Sequence, residues 1–571
     1  MNADLIESLA HVADSSENVP HLRRLVVALA ISGKLDASDD EESFTLMRER
    51  LKAERVRLIK MGKLKPQEEL PSVSYEELPF EISNACHFER LGNLATLAKG
   101  LTGIQSAAPG PFPLVVTAEA RSSCDHFDFD GTAAIVPMVS SAGHGKASIN
   151  RLHYQEGKFA LGNILCAVFP ISEEILSARF LYEYLAAFKE DLLVMRMIGT
   201  ANVSLTIGKI AEVPVPLVSR RIQQRVDELM TLCDRLEAAQ TERESRRDRL
   251  ALASLQRLNQ PAEDTSAFRE HARFYFNRLP CLTTRLEHIQ QLRQTILNLA
   301  IRGQLVHQDH NDEPAFELLE RVAVQKTKAG NAKTGRDWIG DIAKPVDEAF
   351  VIPKGWVWTR IANTVERVTV GYVGPMKDQY VQDGIPFLRS QNVRANRFRE
   401  DGLISISPKF HQAISKSALA PGDVVVVRSG NVGTACVIPP SLLKANCSDL
   451  VVVKRPIAVH PAYLCFYLNS LASTHIEAGT VGVALTHFNT KSVATMPLPL
   501  PPLPEQHRIV ARVDELIALC DRLEAQLTIT QTESRRLLEA VLHEVLAGAA
   551  GETTGWHDIS DASTVLGTGL L

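Results

Sequence analysis

The stretch VDELMTLCDRLEA (Val226–Ala238) recurs as VDELIALCDRLEA (Val513–Ala525), identical at eleven of thirteen positions and displaced by 287 residues. Chance does not produce a match of that length, so an internal repeat constrains the fold before any local feature does. Traced outward, ARFLYEYL (Ala178–Leu185) aligns with PAYLCFYL (Pro461–Leu468), and EVPVPL (Glu212–Leu217) with TMPLPL (Thr495–Leu500), both displaced by 283. GTANVSLT (Gly199–Thr206) matches GTVGVALT (Gly479–Thr486) at 280, and LRRLVVALAISGKL (Leu22–Leu35) matches LRQTILNLAIRGQL (Leu292–Leu305) at 270. Each copy reads as a short helix closed by a glycine (Gly33, Gly303), a second helix, a mixed region, a Pro-rich edge and a long helix. The helices still match while the regions between them have diverged. A constant scaffold carrying two independently specialised modules is the expected architecture.

Along the first long helix Ile222, Val226, Leu229, Cys233 and Leu236 recur in steps of four and three, and its twin repeats this with Ile509, Val513, Leu516, Cys520 and Leu523. That spacing, with charges between, is a coiled-coil seam. Two matched seams in one chain point to helices that pair with each other as a fixed-length spacer; the alternative is two ordinary core-facing helices of separate bundles.

At 571 residues, 45% hydrophobic and 23% charged, the chain has room for three or four structural units and no apolar run near the roughly 18 to 20 residues of a membrane span. The amino terminus lacks the basic-then-apolar pattern of a signal peptide, so a cytoplasmic address is expected. Nine cysteines scattered singly, without CxxC or zinc spacing, argue against disulfides and a structural metal. The net charge of −5 gives no whole-chain electrostatic support for nucleic-acid binding.

The charge is unevenly placed. Arg360–Leu500 holds fourteen Lys/Arg against eight Asp/Glu, or +6, whereas Phe88–Leu217 holds ten against twelve, or −2. The second module is rich in β-branched runs bounded by glycine, which read as strands and tight turns. Two of its loops carry the side-chain types that read base edges: RSQNVRANR, with Arg389, Ser390, Gln391, Asn392 and Arg394, and RSGNVG, with Arg428, Ser429 and Asn431; Lys377 lies on a further loop. In the first module the candidate is SSAGHGKAS (Ser140–Ser148), where Ser140, Ser141, His144 and Lys146 supply donors among glycines. It departs from a phosphate-binding P-loop at Ser140 and Ala147. The same residues also suit plain solvated turns.

No dinucleotide fingerprint, HExxH or GxSxG occurs, and VIPP (Val437–Pro440) is not the Asn-Pro-Pro-Tyr run of adenine methyltransferases. The residues assign the chain no chemistry of its own, no catalytic residue and no metal.

At PLPPLPEQHRIVARVDELIALCDRLEAQL (Pro499–Leu527) the sequence resembles the DNA-specificity subunit of type I restriction-modification systems, and PKGWVWTRI (Pro353–Ile361) is similar to the opening of that family's target-recognition domains. In the first copy VSRRIQ (Val218–Gln223) stands against EQHRIV (Glu505–Val510), a weaker match. The resemblance implies an α+β fold: two mixed α/β target-recognition domains separated by two long antiparallel coiled-coil helices, a pseudo-twofold tandem repeat. It implies an N-terminal helical segment (1–62), a linker (63–87), recognition domains at 88–217 and 346–503, a central conserved helical region (218–345), a C-terminal helix (504–550) and a flexible tail (551–571). Each domain would read half of a bipartite DNA site, with the helices setting the spacer and docking two modification subunits; restriction subunits would join them. S-adenosylmethionine would sit on the modification subunits, and ATP and Mg on the restriction subunit, with no cofactor on this chain. A coiled-coil scaffold or adaptor without DNA readout remains the alternative from the residues alone.

Overall fold

The structure, a computed structural model, describes residues 18–35, 44–66, 68–74, 77–78, 87–142, 145–260, 265–328, 350–477 and 489–547. His144, GTVGVALT and the tail 551–571 lie outside the described residues. The chain divides into two units, 1–244 with 530–571, and 245–529. No described helix is long and apolar enough to cross a membrane.

The first unit contains α1 (Val19–Ile31), α2 (Phe44–Lys60), β1 (His87–Arg90), β2 (Ala95–Lys99), β3 (Phe112–Val115), β4 (Ser122–Cys124), β5 (Phe129–Asp130), β6 (Ala133–Pro137), β7 (His153–Gln155), β8 (Lys158–Leu161), β9 (Leu165–Pro170), α3 (Ala178–Ala187), β10 (Pro214–Leu217) and the start of α4 (Arg220–Asn259). An antiparallel sheet runs β2-β9-β6-β7, a second sheet runs β4-β3-β8-β5 with β3 and β8 parallel, and β1 pairs with β10. Strand alternation gives the central sheet two cores. Ala134, Val136, Cys166 and Val168 face α3, while Ala133, Ile135, Leu165 and Ala167 face the second sheet.

The second unit contains α5 (Leu286–Ile301), β11 (Val357–Arg360), β12 (Val365–Val370), β13 (Tyr380–Val381), β14 (Ile385–Leu388), β15 (Val393–Arg394), β16 (Arg397–Phe398), β17 (Ile404–Ile406), β18 (Val424–Val427), β19 (Ala435–Val437), β20 (Asn446–Cys447), β21 (Leu450–Pro456), α6 (Pro461–Glu477), β22 (Pro497–Leu500) and the start of α7 (Leu503–Ala547). Its sheets run β12-β21-β18-β19 and β13-β17-β14-β20, and β11 pairs with β22. The continuous run Val424–Val427 is buried throughout because Val424 and Val426 enter the core shared with α6 while Val425 and Val427 enter the opposite one.

The same polar braces occur in both units. Gln223, at the start of α4, accepts from Ser177 N–H (2.8 Å) and donates to the Ile175 and Val218 carbonyls (2.8 and 3.0 Å). Gln506, at the start of α7, accepts from His460 N–H (2.6 Å) and donates to the Ala458 and Pro501 carbonyls (3.1 and 2.9 Å), every partner displaced by 283. Tyr184 and Tyr467 donate to the Pro214 and Pro497 carbonyls, and Arg90 and Arg360 to the Glu212 and Thr495 carbonyls. Arg23 of α1 pairs with Asp234 and Glu237, and Arg293 of α5 with Asp521 and Glu524.

These braces correct the alignment at the helix starts. Gln223, not Val218 or Ser219, does the work of Gln506, although the repeated stretch begins three residues after the first glutamine and seven after the second. Four extra residues are one helical turn, roughly 6 Å, and return nearly to the same face. The seam shifts accordingly. Buried positions on α4 within the first unit are Gln223, Val226, Met230, Cys233 and Gln240, so Met230 takes the place expected of Leu229, which is half-buried and outside the core. Ile222 packs at the core's edge and Leu236 is half-buried. On α7, Ile509, Val513, Leu516 and Cys520 are buried as expected, with Leu523 packed beside them. Val226 and Met230 share a core with Val541 and Leu542 of α7, and in the second unit Ala251, Leu255 and Leu258 of α4 share one with Ile509, Val513 and Leu516. The two helices span 40 and 45 residues, roughly 60 and 68 Å.

The two motifs that carry the family resemblance meet in the second unit. Trp356 of PKGW donates Nε1–H to Glu505 Oε2 (3.0 Å), and Gln308 donates to Glu505 Oε1 (3.1 Å). Gly303, at φ 70°, leaves no room for a Cβ, which would stand 2.4 Å from Pro353 Cγ.

Replacing Gln506 by alanine strands three buried backbone groups, at about 1–3 kcal/mol for each group left unpaired. Urea unfolding of Gln506→Ala is expected to show a loss of about 3 kcal/mol or more, against no measurable change for the exposed Gln224→Ala.

Candidate nucleic-acid interface

In the second unit two loops leave the same end of the sheets. The first joins β14 to β17 and contains the β15–β16 hairpin; the second, 428–434, joins β18 to β19. They are fastened together. Asn396, at φ 60° in the hairpin turn, donates N–H to the Ala435 carbonyl (3.0 Å), and Asn469 of α6 bonds Asn396 Oδ1 (2.6 Å) and both Ala435 backbone groups (2.9 and 3.0 Å).

The sequence candidates separate into braces and presented groups. Asn392 is fully buried: its Oδ1 accepts from Arg389 N–H (3.0 Å) and its Nδ2 donates to the Arg399 and Asp401 carbonyls (3.1 and 3.3 Å). It is corrected from a reader to the brace of its loop, because both of its N–H donors are spent on backbone carbonyls and its full burial keeps the amide oxygen from a base. Arg389 and Gln391 both donate to the Gly402 carbonyl (3.2 and 3.1 Å), Gln391 from an exposed position. Ser390, Arg394, Ser429, Asn431 and Lys377 are exposed. Arg394 and Arg397 stand directly opposite across the hairpin, like charges that cost stability and concentrate positive potential at the rim. Arg428 is paired with Asp449.

In the first unit the loop carrying Ser140, Ser141 and Lys146 joins β6 to β7, the topological position that 428–434 occupies in the second. Two loops picked for composition alone thus hold one position in two sheets of matching order. Ser140 Oγ donates to the Lys146 carbonyl (2.6 Å) and accepts from Ala142 and Ser148 N–H (both 3.2 Å), so it shapes the loop and is corrected to a brace. Ser141 bonds the Ser148 carbonyl (3.1 Å) and Asn150 Oδ1 (3.1 Å), and Lys146 is exposed.

Sequence reasoning missed Asn469 and Arg121. Arg121 bonds Gln155 (3.0 Å), the Tyr154 carbonyl (3.1 Å) and His153 Nδ1 (3.0 Å), tying the β3–β4 loop to β7. No local motif marks either residue, since the partners of Asn469 lie 34 and 73 positions away and those of Arg121 lie 32–34 away. It also passed over Cys124, Asp125 and His126, whose ligand atoms lie within 4.8 Å of one another. The imidazole there is engaged by protein, Nδ1 at 2.7 Å from Asp125 and Nε2 at 3.1 Å from Thr102.

Two mixed domains of matching sheet order, each carrying a polar loop at the same topological position, define a two-module recognition protein. The sequence pattern of the family described as type I restriction modification DNA specificity domain matches residues 115–244 and 371–530, just over half of the chain. The chain belongs to that family. It is 27% identical over 569 residues to the type I restriction enzyme EcoEI specificity subunit of Escherichia coli, covering 92% of this chain and 94% of the relative. It is likewise 27% identical over 568 residues to the EcoAI specificity subunit of Escherichia coli, covering 92% and 93%. A solved HsdS subunit from Thermoanaerobacter tengcongensis aligns at 16% identity and a TM-score of 0.39 over 82% of this chain and 98% of its own.

His153 sets a pH dependence for the first unit. Burial, then the charges of Arg121 and Arg151, push its imidazole down from 6.5 to about 4. At pH 7 it is neutral both folded and unfolded. Below pH 6.5 the unfolded chain binds a proton that the folded chain refuses until about pH 4, so stability falls across that window by up to about 3 kcal/mol and is flat beneath it. Urea midpoints for the wild-type chain are expected to drop more steeply over this window than those of His153→Gln.

Proposed function

We propose that this chain is the DNA-reading subunit of a type I restriction-modification complex, each recognition domain reading one half of a bipartite site and contributing no chemistry. The observation that carries the reading is the recurrence of the glutamine, tyrosine and arginine braces in two units whose loops, not their scaffolds, differ. A scaffold kept constant while the presented side chains diverge is what two independent readers require.

On this reading the two units are a tandem repeat with recognition domains at 88–217 and 346–503, and α4 and α7 form the antiparallel spacer, with 1–62 completing the distal helical region. The exposed sides of these helices dock two modification subunits, which bring S-adenosylmethionine, and restriction subunits bring ATP and Mg; the complex works in the cytoplasm. The basic second domain supplies sequence-independent attraction to phosphates, while partner subunits supply most of the neutralisation that dominates affinity for DNA. Base contacts then confer specificity.

Single-molecule sequencing of modified bases, in a host expressing the chain with its modification subunits and in one lacking only this chain, tests the proposal. A methylated two-part motif is expected to vanish with the chain; an unchanged pattern would favour a scaffold without readout. Within the same experiment, Arg394→Ala with Gln391→Ala is expected to alter one half of the motif and leave the other intact. Val226→Arg with Val513→Arg, which forces two charges into apolar cores, is expected to abolish methylation at every site and lower the unfolding midpoint.

A further inference from the structure

In the first domain the β3–β4 loop and the β6–β7 loop meet at a cavity of about 260 Å³ lined by Thr117 from the former and by Val139, Ser140, Ser141, Asn150 and Arg151 around the latter. In the second unit the loop joining β14 to β17 is held against the start of β19 by the bond from Asn396 N–H to the Ala435 carbonyl. Among the described residues lining this cavity, Arg151 carries the charge. Its Nη1 lies 2.7 Å from Glu119 Oε2, with the two side chains 42% and 86% exposed. The surroundings are fixed: Arg121 is bonded into β7, Ser140 shapes the loop, and Lys189 holds the Ile149 and Asn150 carbonyls (2.6 and 2.8 Å).

A phosphate contact does not suit this arrangement, because the exposed Glu119 carboxylate would repel it. A base pair does. In the major groove a G·C pair presents two acceptors on guanine, O6 and N7, beside the N4 amino donor of cytosine. An arginine fork next to a carboxylate offers the complementary order of donors and acceptor. An exposed ion pair of this kind contributes little stability on its own, so both groups turn toward a base pair at small cost.

We propose that Arg151 and Glu119 are specificity-determining residues of the first domain, together reading one G·C pair of its half-site, Arg151 on guanine and Glu119 on cytosine. This rests on the DNA-reading function proposed above. It assigns base readout to residues on the acidic domain, outside the Ser/Gly-rich stretch that composition singled out.

The test uses the chain assembled with its modification subunits. Modified-base sequencing of a host carrying Arg151→Ala is expected to return the wild-type motif with one G·C position of a single half-site degenerate and the other half unchanged. Binding of the purified complex to duplexes differing only at that pair is expected to show about tenfold or greater discrimination for wild type and less than about threefold for Arg151→Ala. An equal loss of binding to all duplexes would make Arg151 a merely structural residue and overturn the proposal, as would a motif unchanged in both halves. If Arg151→Ala abolishes methylation outright, the duplex comparison with Arg151→Gln decides, and wild-type discrimination by that variant overturns the assignment. Methylation that does not depend on the chain at all would refute the DNA-reading function itself, a result distinct from each of these.

Discussion

A buried glutamine at the root of each long helix is the interaction on which the rest of the structure depends. Gln223 and Gln506 are both fully inaccessible, and each joins three backbone groups: one before the helix that packs on the sheet, one at the start of that helix and one at the Pro-rich edge. An amide that bonds three buried backbone groups cannot be exchanged for an apolar side chain without leaving those groups unpaired. It therefore fixes the direction in which a helix of 40 or 45 residues leaves its domain. Everything farther along that helix, including which positions are buried, follows from its root.

The loops are organised by the same economy. Asn392, Asn469, Ser140 and Arg121 spend their polar atoms on backbone and neighbouring side chains, and by doing so hold Gln391, Arg394, Lys146 and Arg151 at the surface. Readout of a base edge depends on placing donors within hydrogen-bond distance in a fixed frame. The described interior of each loop is accordingly braced by hydrogen bonds while its rim is charged. The uneven charge of the two domains fits the proposed function, in which one domain contributes phosphate attraction and the other relies on particular side chains.

Much of this was legible from residues. Repetition of VDEL(M/I)(T/A)LCDRLEA marked two scaffolds, and the divergence between copies marked the presented regions. Two of the three loops that composition selected, Ser140–Ser148 and Arg428–Gly433, hold the turn between corresponding strands. Composition did not separate presenting residues from bracing ones. Asn392 and Gln391 are neighbours of similar chemistry, yet one is buried and saturated and the other exposed. Only the positions of the Arg399 and Asp401 carbonyls, seven and nine residues on, distinguish them.

The sequence by itself determined that there are two scaffolds, that each ends in a long helix with an apolar stripe, and which regions carry variable chemistry, because periodicity and repetition are local properties of the chain. Only the tertiary structure decided the register of those stripes and the roles within the loops. Leu229 satisfies the four-three spacing as well as Met230 does, but the helix is rotated by Gln223, whose partners at Ile175 and Ser177 lie nearly fifty residues upstream. Which face of a helix is buried, and which amide of a loop is left to meet a ligand, are set by groups distant in the chain that come within about 3 Å in the fold.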